Sequence, residues 1–495
     1  MRDGYVQDVA EVPLAGSLET CDRPDLLIHL LAQLPHDVNL RLFATSDVGI
    51  PAGVDRLANG YGLRERVSFV TKDRLRGDAT LVEATSRGFV TIEPTGARRR
   101  LATLGEAIEA IGAGRFSEPI ATPAALLRQR RFAVVTNLPT HYRVPLFSRV
   151  AALLADHGAS LKVFFTSHVP ESRSWLSSGD PLRFDHQTLR SVGLPVRRNR
   201  PPALPFGLRA ALARYQADVI LVAGFSPSVI RPAVRVARDL GASVGVWTGE
   251  VSSGPTAQSR IRRATRQRLI EGADFALAYG AASLEYMHRL GPELPTIIGR
   301  NTTSILPPRA RRMAPPMRIV AIGDLADSRK GIDVIVDALG LVRNVECVVD
   351  VFGGGARLAA LRQRASGDKR VRLHGPASTT EVLERLQEAD LFVFPTRFDI
   401  FGLSLVEAMG SGLACVVSRC ANAAEDLCMH EVNSIVLDGH DPADWAATIE
   451  RLVGDPTLRA ELGRRARATV EARWTLDHSA SAMVAGFALG AGVIR

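Results

Sequence analysis

Short apolar segments alternate with segments of helical periodicity from residue 131 onward, and this alternation constrains the fold more than any other feature. It is typical of parallel β-sheets whose two faces are covered by helices. The predicted strands before residue 300 are 132–138, 161–165, 218–225, 243–247 and 274–280. Those after residue 316 are 317–324, 345–355, 371–375, 390–395 and 414–418. The pattern therefore predicts an α/β protein with two doubly wound sheets.

A proline-rich segment, ILPPRARRMAPPM at 305–317, separates the two series of strands. Proline removes a backbone donor and fixes φ, so four prolines among basic residues predict a linker. A chain of 495 residues is also too long for one ordinary hydrophobic core. We predict domains at 131–302 and 317–475, a terminal helix at 476–495 that packs back, and a ligand cleft at the carboxyl ends of the strands.

The composition favours a globular chain without a membrane span, with 46% apolar residues, 23% charged residues and no apolar run of about 18 residues. The N-terminus lacks a basic and then apolar signal pattern. The five cysteines include no C-x-x-C pair, which favours reduced thiols in the cytoplasm and argues against a zinc site. The net charge is +9, and the arginine-rich segment 259–273 has two interpretations. It is either a solvated face or a peripheral contact with an anionic membrane or a lipid-diphosphate acceptor.

The first 125 residues resemble parts of the second series of strands. The matched pairs are 24–47 with 331–355, 66–70 with 370–375, and LVEATSRGFVTIEP (81–94) with LVEAMGSGLACVVS (405–418). We interpret residues 1–125 as an extra α/β segment, a shortened internal copy of the C-terminal domain. Leu75 stands in the place of Asp399, so this copy is expected to have lost its ligand chemistry. Chance similarity between amphipathic stretches is the alternative.

The stretch RFDIFGLSLVEAMGSG, 397–412, places two carboxylates, Asp399 and Glu407, on either side of Gly402. Asp399 follows a predicted strand, and Gly402 lets the backbone approach a ligand closely. A helix that starts after Gly402 would present free N–H groups at 403 and 404 to an anion such as a diphosphate. Carboxylates on both sides of this helix start can accept hydroxyl groups, which suits a sugar nucleotide. The alternative is an ordinary capped helix with two solvated acids.

The same residues, F-x-x-F-G-L-S-L-V-E-A-M-x-x-G, resemble the two-acid motif of glycosyltransferase family 4, retaining enzymes of the GT-B fold. Four further segments match that family in order: VAIGDLADSRKGIDVIVDAL (320–339), VFGGGARLAAL (351–361), VRLHGPAS (371–378) and ADLFVFPTRFD (389–399). TNLPTHYRVPLF (136–147) is similar to the N-terminal domain of members that assemble polysaccharides. The resemblance covers about 131–488. It implies two Rossmann-like domains facing across a cleft, with the donor bound to the second domain and the acceptor to the first.

Position by position, the resemblance implies that Glu407 binds the nucleotide ribose. It implies that Asp399 and the amides of Phe401 and Gly402 hold hydroxyls of the donor sugar. The amides of Leu403 and Ser404 would meet the diphosphate.

The resemblance also implies that Lys330, with Arg329 beside it, neutralises the leaving diphosphate. The chemistry requires such a group, because cleavage of a sugar–phosphate bond leaves negative charge that a fixed cation stabilises. The sequence contains no Asp-x-Asp pair. We therefore expect no metal and no cofactor other than the nucleotide-diphosphate sugar that serves as co-substrate. Glycine turns at Gly323 and Gly354, and His374 at a strand end, complete the predicted donor side.

Three departures from the family pattern affect these predictions. Asp399 stands where the family usually has glutamate, which bears on donor-sugar preference. Gly323-Asp324 replaces the usual Gly-Arg, with Arg329 as a substitute. The usual N-terminal-domain histidine has no match, and WTGE (247–250) lies in about its place. Glu250 is there either a polar or catalytic contact or the cap of a helix start.

Acceptor contacts are predicted for His141, Tyr142 and Arg143, in the loop after the first strand, with ordinary loop packing as the alternative. Arg173 and Trp175 are weaker candidates. The expected function is transfer of a hexose from a nucleotide sugar to a polysaccharide or lipid-linked glycan, with no nucleic-acid partner. A sugar-nucleotide epimerase or hydrolase on the same fold, and a nonenzymatic scaffold, remain as alternatives.

Overall fold

The chain divides into two compact units, Met1–Pro119 and Ile120–Arg495. The computed structural model describes six strands of the first unit and residues 127–493 of the second. The second unit is described except for 168–180, 194–202, 255–258, 292–293, 308–314 and 344. Arg173, Trp175 and most of the proline-rich segment therefore lie outside the described residues.

The first unit contains one six-stranded sheet with the order β3-β2-β1-β4-β5-β6. Its strands are β1 (Pro13–Ser17), β2 (Asn39–Ala44), β3 (Val67–Thr71), β4 (Leu81–Thr85), β5 (Gly88–Ile92) and β6 (Arg98–Leu101). The first four strands pair in parallel, whereas β4, β5 and β6 pair antiparallel.

The proposed match of residues 81–94 with 405–418 is wrong at its first element. Leu81–Thr85 is a strand of an antiparallel hairpin, whereas the same Leu-Val-Glu-Ala letters at Leu405–Ala408 lie in a helix. The tetrapeptide fits either structure, and the antiparallel pairing with Gly88–Ile92 accompanies the strand here. The match of 24–47 with 331–355 stays a prediction.

The second unit begins with a seven-stranded parallel sheet ordered β15-β14-β13-β12-β7-β8-β9. Its strands are β7 (Arg131–Thr136), β8 (Ser160–Phe165), β9 (Asp185–Thr188), β12 (Val219–Ala223), β13 (Ser243–Thr248), β14 (Phe275–Ala278) and β15 (Thr296–Ile298); a separate ribbon joins β10 (Ser191–Gly193) and β11 (Ala203–Pro205). The described helices of this half are α1 (Arg143–Ala155), α2 (Leu208–Tyr215), α3 (Pro227–Leu240), α4 (Arg260–Ile270) and α5 (Ala281–Leu290).

A six-stranded parallel sheet follows, ordered β18-β17-β16-β19-β20-β21. Its strands are β16 (Met317–Ile322), β17 (Cys347–Phe352), β18 (Val371–Gly375), β19 (Leu391–Phe394), β20 (Ala414–Ser418) and β21 (Ile435–Leu437). The helices are α6 (Ile332–Leu341), α7 (Leu358–Arg364), α8 (Thr379–Glu388), α9 (Leu403–Gly410), α10 (Asn422–Leu427), α11 (Pro442–Gly454), α12 (Pro456–Arg473) and α13 (Leu476–Val493).

These two parallel sheets confirm the predicted doubly wound α/β architecture. The ten predicted strands all lie on observed strands, while β9, β15 and β21 were not predicted from the sequence. Each of these three strands has only three or four residues, too few to show a clear apolar period.

The last helix, α13, packs against α1 and the seven-stranded sheet rather than against the sheet that precedes it in the chain. Met483, Val484 and Phe487 join the apolar core that contains Phe132, and the Phe132 and Phe487 rings stack with centroids 4.7 Å apart. Burial of such large side chains favours this arrangement by roughly 1.5–3 kcal/mol each. The chain therefore crosses from one sheet to the other twice.

Among the described residues, no helix is both long enough and apolar enough to cross a bilayer.

Candidate functional site

The centre of the candidate site lies where β16 and β19 are neighbours. The chain leaves β16 for β17 on one side and leaves β19 for β20 on the other, so this is the point at which the strand order reverses. Loops at the carboxyl ends of two such strands diverge and leave a crevice that binds ligands in open α/β sheets. Lys330 follows β16, and Asp399, Gly402 and Glu407 follow β19.

Lys330 ends a short 3₁₀ turn, Ser328–Lys330, that begins at Asp327. The Asp327 carboxylate accepts a hydrogen bond from the Arg329 amide at 2.9 Å and so fixes the start of the turn. A Cβ at position 323 would lie 2.7 Å from Lys330 Cγ, so Gly323 leaves room for the Lys330 side chain. The Lys330 side chain therefore runs directly over the end of β16.

Gly331 brings this turn against the end of β19. Its φ is +66°, and a Cβ there would lie 1.9 Å from the Pro395 carbonyl oxygen. Any side chain at 331 would push the Lys330 turn away from the loop that carries Asp399.

Gly331→Ala is therefore expected to lower the free energy of unfolding by at least about 2 kcal/mol, from backbone strain and steric overlap. Chemical denaturation measures this loss. Gly340→Ala is the matched control, because Gly340 lies in α6 with no atom within 4 Å of the added Cβ. That control should gain roughly 0.5–1 kcal/mol. Equal stabilities of the two variants would contradict the assignment of Gly331.

The structure brings Lys330 and Asp399 together as an ion pair, with Lys330 Nζ donating to Asp399 Oδ2. The ammonium also lies 5.5 Å from the centroid of the Phe394 ring. Arg329 does not join them, because its guanidinium pairs with Asp327 at 2.7 Å and is half exposed. Of the two predicted cations, only Lys330 contacts an acid of the two-acid motif.

Gly402 starts α9 with φ +115°, a conformation that L side chains rarely adopt. A Cβ there would lie 2.9 Å from Phe394 Cε1. The first turn of α9 has no side-chain cap and no acidic residue. The Leu403 and Ser404 amides therefore stand at an uncapped positive end of the helix dipole, which favours an anion.

The Glu407 side chain lies one turn further along α9 and is only 7% exposed. Burial raises the pKa of its carboxyl group to about 8. No cation among the described residues pairs with it, which agrees with desolvation as the whole cause of the shift. A buried acid without a cation suits recognition of neutral hydroxyl groups.

The Phe401 amide, predicted to bind a sugar hydroxyl, already donates to Asp399 Oδ1 at 3.3 Å. The Phe401 ring is buried and stacks on Trp474 with centroids 5.8 Å apart. Phe401 thus anchors the loop and orients the Asp399 carboxylate.

Gly354 supports the Lys330 loop from the β17 side. Its carbonyl accepts from the Leu325 amide at 2.9 Å, and the neighbouring Gly353 would bring a Cβ within 1.8 Å of the Gly323 carbonyl oxygen. His374 lies elsewhere: its Nε2 is 2.6 Å from Asp350 Oδ1, and its ring stacks on Phe352. These described contacts of His374 include none of the acids or cations of the site.

On the seven-stranded sheet, Arg143 begins α1 and is 6% exposed. Its guanidinium donates to Asn137 Oδ1 at 3.2 Å and to the Tyr279 hydroxyl at 3.0 Å, and it lies 4.8 Å over the Trp247 ring. These contacts are all with neutral groups. An arginine held in this way keeps its full charge inside the fold.

His141 and Tyr142 precede Arg143, with their rings in edge contact at 5.2 Å. The His141 Nδ1 atom is buried without a hydrogen-bond partner among the described residues. Desolvation lowers the His141 pKa to about 4. The imidazole is therefore neutral at physiological pH and can serve only as a neutral contact.

Glu250 does not cap a helix, so that alternative is wrong. It follows β13 in a loop and pairs with Arg266 of α4 at 2.9 Å, while α4 is capped by Ser259. Arg266 is buried and also donates to the Tyr286 hydroxyl. Glu250 therefore ties the end of β13 to the arginine-rich helix.

Residues on the two sheets of this unit meet beside the site. A Cβ on Gly249 would lie 2.3 Å from the Tyr279 ring and 2.8 Å from Ile400 Cγ2. Both Asp426 carboxylate oxygens lie 3.1 Å from the Ala281 amide, which begins α5. A Cβ on Gly280 would likewise lie 2.9 Å from Phe401 Cε2, so the loop between the two acids packs directly on the turns that follow β13 and β14.

Sequence reasoning missed Tyr279 and Asp426. Tyr279 lies at the end of a predicted strand, and that position was the available signal. Asp426 had no signal, because its partner is 145 residues away.

The comparisons with known proteins agree with this geometry. Residues 316–455 match the family described as glycosyl transferases group 1. The D-inositol 3-phosphate glycosyltransferase of Xylanimonas cellulosilytica is 31% identical over 161 residues, which are 31% of this chain and 38% of that protein. The enzyme of the same name from Jonesia denitrificans is 26% identical over 267 residues, 48% of this chain and 62% of that protein. The chain thus spans less than two thirds of these relatives.

Solved structures match over a longer stretch. HepE from Anabaena, in complex with UDP and glucose, superimposes with a TM-score of 0.57 at 14% identity, covering 72% of this chain and 98% of HepE. Sucrose-phosphate synthase from Thermosynechococcus elongatus gives a TM-score of 0.56 at 17% identity, with coverages of 72% and 98%. At such identities the likeness concerns the fold, which is GT-B.

Two facing parallel α/β sheets with a ligand crevice at a switch point define the class of GT-B proteins. Within that class, residues 316–455 are similar to the group 1 glycosyl transferases.

Proposed function

We propose that this protein is a retaining hexosyltransferase that moves a hexose from a nucleotide-diphosphate sugar to a polysaccharide or lipid-linked glycan. One observation carries the proposal: Lys330, Asp399 and Glu407 surround the uncapped start of α9 at the β16–β19 switch point. The arrangement offers a cation and helix amides to a diphosphate and carboxylates to hydroxyl groups.

In the proposed reaction the diphosphate leaves toward Lys330 and the start of α9. Both groups stabilise the negative charge that develops on the leaving oxygens. The acceptor hydroxyl enters on the same face of the sugar. The donor domain is proposed to be 317–475 and the acceptor domain 131–302, with the 476–495 helix packing back.

The acceptor is proposed to lie beside His141, Tyr142 and Arg143. Peripheral contact with an anionic membrane at the cytoplasmic side is part of the same proposal. The first turn of α4 supports it: Arg260, Arg262 and Arg263 are exposed, and Ile261 between them is 81% exposed. An apolar side chain among arginines suits an anionic lipid surface.

The reaction is tested by incubating the protein with UDP-, GDP- and ADP-hexoses and a lipid-linked glycan in anionic vesicles. A glycosidic product with the anomeric configuration of the donor, read by NMR, is the expected result. Free hexose released without an acceptor would instead indicate a hydrolase. No consumption of any donor would favour a scaffold.

Arg143→Met is expected to raise the acceptor KM about tenfold or more, because a buried cation that faces neutral groups is removed. Donor affinity should change less than about twofold, since the contacts of Arg143 are all on the seven-stranded sheet. Arg149→Met, in the next turns of α1 and half exposed beside Asp477, is the matched control. An unchanged acceptor KM in Arg143→Met would remove this side chain from the acceptor site.

A further inference from the structure

The ion pair between Lys330 and Asp399 occupies both groups that the proposed donor needs. Their side chains are only 18% and 15% exposed. The partner of Lys330 Nζ among the described ion pairs is Asp399 alone. The Phe394 ring, whose centroid is 5.5 Å from the ammonium, adds a favourable cation–π contact.

The two Asp399 oxygens are held differently. Oδ1 accepts from the Phe401 amide at 3.3 Å, whereas Oδ2 accepts from Lys330 Nζ. If Lys330 turned toward a diphosphate, Oδ2 would lose its partner in a largely buried place. A buried acceptor without a partner weakens binding by about ten- to a hundredfold.

An intact sugar nucleotide avoids this loss, because a sugar hydroxyl can donate to the freed Oδ2. A bare nucleoside diphosphate has no such hydroxyl at that position. The shorter aspartate lies close enough to the turn of Lys330 to form the pair directly, since Gly323 and Gly331 let that turn approach β19.

We propose that Asp399 is a specificity-determining residue that makes the site discriminate against the nucleoside diphosphate product and in favour of the intact donor. Binding of the donor exchanges one partner for another at both Lys330 and Asp399. When the product binds, Lys330 leaves Asp399 for the diphosphate, and no sugar hydroxyl replaces it as a donor to Asp399 Oδ2. This inference rests on the proposed function. It explains why the nucleoside diphosphate would leave the site once the sugar has been transferred.

Isothermal titration calorimetry tests it with UDP, GDP and ADP and their glucose and mannose derivatives, on wild type and Asp399→Asn. The asparagine keeps a hydrogen-bonding oxygen but does not hold Lys330 by charge. The expected result is that the ratio of the nucleoside diphosphate Kd to the intact-donor Kd falls about tenfold or more in Asp399→Asn.

Two further variants keep the result interpretable. Asp399→Glu restores the carboxylate and should return the ratio of the two Kd values to within about threefold of wild type. Asp438→Asn removes the same charge from an exposed ion pair with Arg419 in the same domain and should change neither Kd.

The failure of this inference differs from the failure of the proposed function. If wild type binds a nucleotide but the ratio of the two Kd values does not fall in Asp399→Asn, the discrimination by Asp399 is overturned and the donor site stands. If wild type binds none of the nucleotides, both proposals are overturned.

Discussion

Lys330→Met is expected to lower kcat/KM for sugar transfer by about a hundred- to a thousandfold. The ammonium lies at the switch point beside the start of α9, where negative charge would develop on the oxygens of a leaving diphosphate. Removal of one preorganised group that opposes developing charge costs about 2.7–4 kcal/mol in other enzymes. Steady-state measurement of nucleoside diphosphate release gives the effect directly.

The single variant also leaves Asp399 without its cation, which by itself disturbs a largely buried carboxylate. The double variant Lys330→Met/Asp399→Asn removes that orphaned charge and should fold as well as wild type while remaining inactive. Arg364→Met, which breaks an exposed pair with Asp337 in the same domain, is the control for loss of one positive charge. Activity within threefold of wild type in Lys330→Met would contradict the leaving-group role.

Glu407→Gln is expected to weaken nucleotide binding by about a hundredfold, because the two hydrogen bonds that we propose between the ribose hydroxyls and this carboxylate would become weaker. Ribose hydroxyls that donate to Glu407 favour its charged form, whereas burial in the empty site raises its pKa to about 8. Wild-type affinity should therefore rise with pH, by up to about tenfold per unit, until about pH 8. In Glu407→Gln the affinity should not depend on pH over this range.

The same residue should make the folded protein less stable as the pH rises. The Glu407 pKa is raised from 4.5 to about 8 on folding, so the folded state holds a proton that the unfolded state has lost between these values. Stability then falls by about 1.4 kcal/mol per pH unit over that window. Glu407→Gln lacks this loss and should be the more stable protein at pH 8, although it binds nucleotide poorly.

Denaturant unfolding at pH 5 and pH 8 measures this difference. Glu461→Gln is the control whose effect should be the same at both pH values, because Arg464 and Arg465 hold the pKa of Glu461 at about 2 and its carboxylate stays ionised from pH 5 to pH 8. A Glu407→Gln variant that is no more stable than wild type at pH 8 would show that the carboxylate is already ionised in the empty site.

The sequence was sufficient to bring Lys330 and Asp399 to one place, although they are 69 residues apart. Both follow predicted strands, and the carboxyl ends of parallel strands share one edge of a sheet. Gly402 and Glu407 were placed by their spacing from Asp399 along a predicted helix. These positions depend on local periodicity and on the general topology of doubly wound sheets.

Other contacts depend on packing that no short-range pattern records. The pairing of Glu250 with Arg266, and of His374 with Asp350, follows from which faces of helices and strands meet. Leu81–Thr85 became a strand although its letters repeat those of a helix, because tertiary pairing overrides a weak local preference. Tyr279 and Asp426 required knowledge of how the turn after β14 meets α1 and α10, respectively.

Binding of a sugar nucleotide in the crevice at the β16–β19 switch point is the property on which the proposed function depends. It is tested most directly by calorimetric titration of UDP-, GDP- and ADP-hexoses into wild type, Lys330→Met and Glu407→Gln. We expect one-to-one binding of donors carrying one base to wild type, and a Kd at least about tenfold higher in each variant. Binding that neither variant weakens, or no binding to wild type, would contradict it.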